Sequence, residues 1–327
     1  MARPSPAGWH GPFLALAAIW GASFLFIKVA VEDLPPLLIA LVRCALGAAV
    51  LAAILVVRRE RLPRAPRVWG HLAVVALVAN AIPFALFGYG EQHISSVLAG
   101  LWNATTPLLT LAVVTVALPE ERPTPTRVAG LVVGFLGVVV VLGPWRAAGG
   151  ELTGQLLCLG ATTGYALAFP YLRRTLSGRP ESALALSAGQ LLCATGMLAV
   201  VAPITGGPSG AGADTIASLV ALGVLGTGLA YVLNFTIIRR AGATIASTVT
   251  YVIPLFSTAL GIAVLGERPS WNQALGAVVV LGGVACSQAP MGRLGVRGRA
   301  THEDHDVGRR HRRVGGLRDA RARGRAR

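Results

Sequence analysis

Two cations sit in unusually apolar surroundings. Lys28 follows seventeen residues, 11–27, that carry no charge, and it is the only lysine in a chain with 28 arginines. Arg43 lies seven residues into the next apolar stretch, about 10 Å along a helix axis at about 1.5 Å per residue. A cation at the centre of a bilayer costs about 2.5–3.5 kcal/mol even on the lower of the disputed scales, so each needs a partner or a purpose. Arg43 can hold a carboxylate through two parallel N–H···O bonds, or it can reach outward to Glu32, Asp33 or helix-end carbonyls. Lys28 is three residues from the end of its stretch, where its stem can reach the headgroups. Glu32, four residues on, is its expected partner. A compact charge guarding the mouth of a solvated pocket is the other use open to it.

The remaining polar chemistry gathers around prolines. Asn103, Thr105 and Thr106 precede Pro107, and Thr250 and Tyr251 precede Pro254, with Ser247 and Thr248 before them. Proline frees the carbonyl four residues back, and in lipid that group must be satisfied by a neighbour or by cavity water. Two readings follow: these residues line an aqueous pocket, or their hydroxyls bond their own helix carbonyls. Asn80, Pro83, Thr227, Tyr231 and Asn234 extend the polar set, and Trp20 and Trp102 offer aromatic faces for stacking on an apolar or cationic ligand. The candidate cavity set is therefore Trp20, Lys28, Arg43, Asn80, Trp102, Asn103, Thr106, Pro107, Tyr231, Asn234, Thr250, Tyr251 and Pro254.

No catalytic residue, metal site or cofactor is expected. The chain has no H-E-x-x-H, G-x-S-x-G or D-x-x-D. Its four cysteines each lie inside an apolar run, without C-x-x-C spacing, and read as buried hydrophobes. Carboxylates are absent from the centres of the apolar stretches. Glu91 and His93, the one acid–imidazole pair near such a stretch, read as a solvated turn.

The elements that must carry these residues are membrane helices. Charged residues are 13% of the 327-residue chain, and 54% are hydrophobic, whereas soluble domains carry about 25% charged residues. A bilayer core needs about 20 apolar residues per helix. Ten stretches qualify, near 11–31, 36–57, 68–89, 94–118, 128–145, 152–172, 183–204, 215–237, 243–265 and 271–289. Every gap between them is short. Alternate loops hold 12 and 2 cations, which places the richer set, and both termini, in the cytoplasm. Residues 291–327 carry 12 cations and 4 anions and are expected to be a disordered, Arg-rich tail. The high net charge thus belongs largely to the tail and implies no nucleic-acid partner.

The second half repeats the first. Pro107 aligns with Pro254, Asn80 with Thr227, Phe84 with Tyr231 and Arg43 with Gln190, each 147 residues apart. After a one-residue gap, Glu121-Arg122-Pro123 aligns with Glu267-Arg268-Pro269. Five spans per half is an odd number, so the halves insert with opposite orientation, an arrangement recurrent in secondary transporters. The expected fold is an all-α integral membrane protein of ten transmembrane helices in two inverted five-helix repeats. Residues 1–10 form a cytoplasmic N-terminus, 11–145 the first repeat, 146–290 the second and 291–327 the tail.

With W-G-x-x-F from Trp20, a proline seven or eight residues before Arg43, and two copies of a proline separated by 10 to 13 residues from a following Glu-Arg, the chain resembles the ten-helix, EamA-type branch of the drug/metabolite transporter superfamily. Its first copy departs from the family's L-G-E-R, reading Leu118-Pro119-Glu120-Glu121-Arg122. The resemblance implies a carrier in the cytoplasmic membrane, often an exporter of small organic metabolites such as amino-acid-like or drug-like solutes, working by alternating access. Its partners would be a small-molecule substrate and the lipid bilayer, and its oligomeric state is left open. The rival reading is an integral-membrane enzyme acting on a lipid or lipid-linked substrate.

Overall fold

The computed structural model describes residues 8–117, 125–142, 149–176, 179–205, 210–241 and 249–288. The expectations for residues 1–7 of the N-terminus, for residues 118–122 and Pro123, for Ser247 and Thr248 and for the tail lie outside them, as does the side chain of Tyr251.

Each of the ten expected apolar stretches forms helix within its described residues. We number them α1 (His10–Asp33), α2 (Pro36–Arg58), α3 (Pro66–Glu91), α4 (Ser96–Asn103 and Thr106–Ala117), α5 (Pro125–Leu142), α6 (Gly149–Thr175), α7 (Ala183–Val201), α8 (Ala213–Val220 continuing to Ala241), α9 (Val249–Leu265) and α10 (Trp271–Gln288). Seven are long and apolar enough to cross a bilayer unaided, and shorter apolar runs lie at Val128–Val141 in α5 and Val252–Leu265 in α9. The described residues contain no strand.

Local chemistry sets the ends. Pro36 and Pro66 open α2 and α3, where a missing N–H costs nothing. Ser95 and Ser182 cap α4 and α7 by accepting from the amides of Leu98 (3.2 Å) and Ala185 (3.1 Å). Asp33, at the end of α1, accepts from the Gly212 amide (3.1 Å) and the Thr215 hydroxyl (2.5 Å), and so caps α8 from another helix. Gly266 turns the chain after α9 with φ +65°, a conformation cheap only for glycine.

Among the described residues, three helices are interrupted, each at a turn that carries a buried polar residue. α3 carries a π-helical turn at Leu77–Ala81 and α8 one at Ala221–Leu229; these two turns hold Asn80 and Thr227. α4 breaks at Ala104 and Thr105, before Pro107. The carbonyl that Pro107 leaves free, that of Asn103, accepts from the Thr106 hydroxyl at 2.8 Å. Here the helix satisfies itself, as one of the two readings allowed.

The packing repeats five helices on. α1 packs against α9 and α8, as α6 packs against α4 and α3; α2 meets α8 as α7 meets α3. The two self-paired contacts are α2 with α7 and α5 with α10. Small residues let the second pair approach until backbones touch: a Cβ on Gly283 would lie 2.4 Å from the Gly134 nitrogen, and one on Gly137 would lie 2.6 Å from that of Val280. Between membrane helices, with no hydrophobic force to draw them together, such close backbone packing is the main source of association.

Candidate functional site

A cavity of about 640 Å³ lies inside the bundle, walled by residues of α1–α4 and α6–α9. Most of its surface is aromatic or aliphatic: Phe24, Phe84, Phe87, Tyr165, Phe169 and Phe235 all line it. One end reaches Arg179 and Glu181, in the connection from α6 to α7, and exposed Ala183 at the start of α7. At the other end stand Ile27 and Phe87, both buried, and Glu91, one helical turn past Phe87, is buried as well.

Two polar pairs cross between the halves at the cavity wall. Arg43 Nε donates to Thr227 Oγ1 at 2.9 Å, and its guanidinium lies over the Phe84 ring, 3.9 Å from the centroid. Gln190 Nε2 donates to Asn80 Oδ1 at 2.5 Å, and Asn80 Nδ2 donates to the Tyr231 hydroxyl at 3.0 Å. Since Arg43 matches Gln190, and Asn80 matches Thr227, the two hydrogen bonds are the same contact made twice. The repeat register read from the sequence therefore pairs residues that meet across the interface.

Arg43 is 7% exposed, so it does not snorkel, and neither Glu32 nor Asp33 is its partner. Its bond to Thr227 uses Nε alone; the terminal amino groups make no hydrogen bond to a described residue, and the side chain lines the cavity. An arginine held by one edge and stacked on a ring keeps its bidentate edge available.

Of the other candidates, Trp20, Asn103, Thr106, Tyr231, Asn234 and Thr250 line the same cavity. Asn80 stands behind the wall, fully buried, holding Gln190 and Tyr231 in place. Trp102 is 1% exposed in the hydrophobic core, with its indole N–H unpaired among the described residues. Pro107 and Pro254 shape α4 and α9 without lining the cavity. Gln190 is visible in the sequence only as the match of Arg43, and the aromatic wall beyond Trp20 leaves no spacing that separates it from ordinary apolar packing.

Lys28 is not on the cavity wall either. Its Nζ donates to the backbone carbonyls of Glu91 (2.6 Å) and Ile94 (3.0 Å), and not to Glu32. The turn from α3 to α4 is thereby held at its carbonyls from α1. Its amides are held from the other half: Glu267 accepts from Ser96 N (2.7 Å), Val97 N (2.9 Å) and Ser96 Oγ (3.0 Å). A carboxylate at a helix N-terminus and an ammonium on helix-end carbonyls both match the peptide dipoles they meet. The expected solvated turn at Glu91 and His93 is corrected here. His93 is exposed, but the Glu91 side chain turns inward and is fully buried, because α3 and α6 close over it. Sequence spacing carries no signal for that, since the covering helix comes from the second half.

The matches to known proteins agree with this architecture. The model of the EamA-like transporter family matches twice, over residues 9–143 and 152–287. An uncharacterized transporter of Archaeoglobus fulgidus is 26% identical over 284 residues, covering 83% of this chain and 94% of the relative. The uncharacterized inner membrane transporter YedA of Escherichia coli is 26% identical over 280 residues, 82% of this chain and 87% of that protein. The uncharacterized transporter YoaV of Bacillus subtilis is 25% identical over 275 residues, 83% and 93% of the two chains. A solved crystal structure, 24% identical, shares the fold with a TM-score of 0.61 over 87% of this chain and 98% of the other. With two matched copies spanning nearly all of its ten helices, the chain belongs to the EamA-like transporter family: it is a multi-pass membrane transporter and not an enzyme.

Proposed function

We propose that this protein is a secondary transporter, working as an exporter, for a small organic solute with an apolar body and an anionic or zwitterionic head, amino-acid-like or drug-like. The observation that carries the reading is the unspent edge of the Arg43 guanidinium inside a cavity otherwise walled by aromatic rings. A carboxylate there makes charge-assisted bonds where little water competes. Gln190, Asn103, Thr106 and Asn234 offer neutral hydrogen-bonding groups around the same space.

The halves are inverted repeats, and movement of solute is alternating access between them. The excess of cations in the loops 58–67, 119–127, 173–182 and 238–242 supports a cytoplasmic location for that end. On this reading both termini are cytoplasmic, the membrane is the inner one, as the name of the YedA relative also suggests, and the cavity mouth at Arg179 and Glu181 faces the cytoplasm. Repeat boundaries at 11–145 and 146–290 follow the same scheme. The deciding experiment is flux of radiolabelled amino acids and small organic acids into vesicles reconstituted with the full chain. Saturable uptake that Arg43→Gln weakens is the expected result. Uptake unaffected by that change, or confined to cations, would overturn the anionic-head assignment.

A further inference from the structure

We propose that Glu91 is a proton-binding site under the closed end of the cavity, occupied in this conformation and emptied when that end opens. The proposal rests on the transporter reading for its purpose, though not for its test. The Glu91 residue is fully buried, and neither carboxyl oxygen has a hydrogen-bond partner among the described residues. An ionised carboxylate without partners is far costlier to bury than a neutral acid, so the neutral acid is the form these surroundings accommodate. The covering is tight. A Cβ on the neighbouring Gly90 would lie 2.6 Å from Cys158 Sγ of α6, and one on Gly154 would lie 2.8 Å from the Gly90 carbonyl.

The charged and titratable groups around Glu91 are few. Arg43 approaches from α2 and Cys158 from α6. Glu267, from the turn between α9 and α10, spends both oxygens on the start of α4. His93 is on the exposed side of the turn. Lys28, from α1, is the partner that matters: it already sits on the backbone carbonyl of Glu91, and two of its three ammonium hydrogens are used on carbonyls. The third remains for a carboxylate.

This makes a two-state element. Closed, Glu91 keeps its proton and Lys28 ties down the turn. Opening admits water; the carboxyl O–H bond breaks, the proton passes to that water, and the carboxylate pairs with the Lys28 ammonium, which keeps all its protons. Position supports the coupling to opening: Glu91 is one helical turn past Phe87, and Lys28 directly follows Ile27, both cavity-lining. A proton taken up or released there changes with the state of the gate.

Infrared spectroscopy of the full chain in liposomes, titrated with pH, tests this without any solute. A protonated-carboxyl C=O band is expected in wild type, shifted in D2O, lost in Glu91→Gln and kept in Glu267→Gln. In Lys28→Met the band should persist to higher pH, because the cation that favours the carboxylate is gone. Should Glu91→Gln fail to fold, the wild-type titration and the Lys28→Met shift still decide. A folded wild type lacking the band, or a band that survives Glu91→Gln or ignores Lys28→Met, overturns the proposal. An absence of solute flux in vesicles would instead count against the transporter reading alone.

Discussion

The two polar crossings share one geometry and differ in charge. Arg43 on Thr227 and Gln190 on Asn80 are the same contact made once from each half. The second is a neutral chain completed by Tyr231, with its amide and hydroxyl groups satisfied by one another. The first ends in a cation whose terminal edge is left to the cavity. Duplication supplies a symmetric frame, and one substitution at a matched position makes the site polar along its length. A ligand with a charged head and an apolar body then has one way round to bind.

The largest effect should come from making the halves alike. Arg43→Gln is expected to reduce transport of acidic or zwitterionic solutes about 10- to 100-fold, since bonds to charged groups are worth about 1.5–3 kcal/mol. Folded yield should hold, and initial uptake rates in vesicles measure it. Loss of folded protein in parallel would mean that Arg43 is structural. Next, exchanging the pair, Arg43→Gln with Gln190→Arg, moves the cation to the matched position, also on the cavity wall. Partial recovery, to within about 10-fold of wild type, is expected if one charge–acceptor pairing is worth about 1.4 kcal/mol; no recovery would show that the halves are not interchangeable. Asn80→Leu should destabilise by about 1–3 kcal/mol, because Gln190 and Tyr231 lose a buried partner, read as a lower thermal unfolding midpoint. Thr227→Val removes one hydroxyl, which accepts from Arg43 Nε and donates to the Leu222 carbonyl; it should cost less than Asn80→Leu because Arg43 keeps the cavity to turn toward. Tyr231→Phe is the smallest, about 1 kcal/mol or below, and a larger loss would indicate that its hydroxyl serves more than Asn80.

Much of this frame was legible in residue order. Apolar length located ten helices, and the shared register of Pro107 with Pro254 and of Asn80 with Thr227 anticipated which positions are equivalent. Arg43 was singled out because its depth alone demands an explanation. Two side chains depart from what local spacing implies, for one reason: their neighbours come from distant segments. Spacing of i,i+4 points Lys28 to Glu32, yet it reaches carbonyls more than sixty residues away. The Glu91-Gln92-His93 turn reads as solvated, yet Glu91 is fully buried where α6 packs on α3.

The sequence by itself determined the solvent, the helices, the duplication and the residues too polar for lipid to ignore, because those follow from composition, length and register along one chain. The tertiary structure alone decided which polar groups are spent and which are free. Thr227 takes one edge of Arg43, Lys28 and Glu267 clamp the same turn from opposite halves, and the Glu91 carboxyl has no hydrogen-bond partner among the described residues. Whether a buried polar group is satisfied depends on what stands across the interface, and that is a property of packing between distant segments.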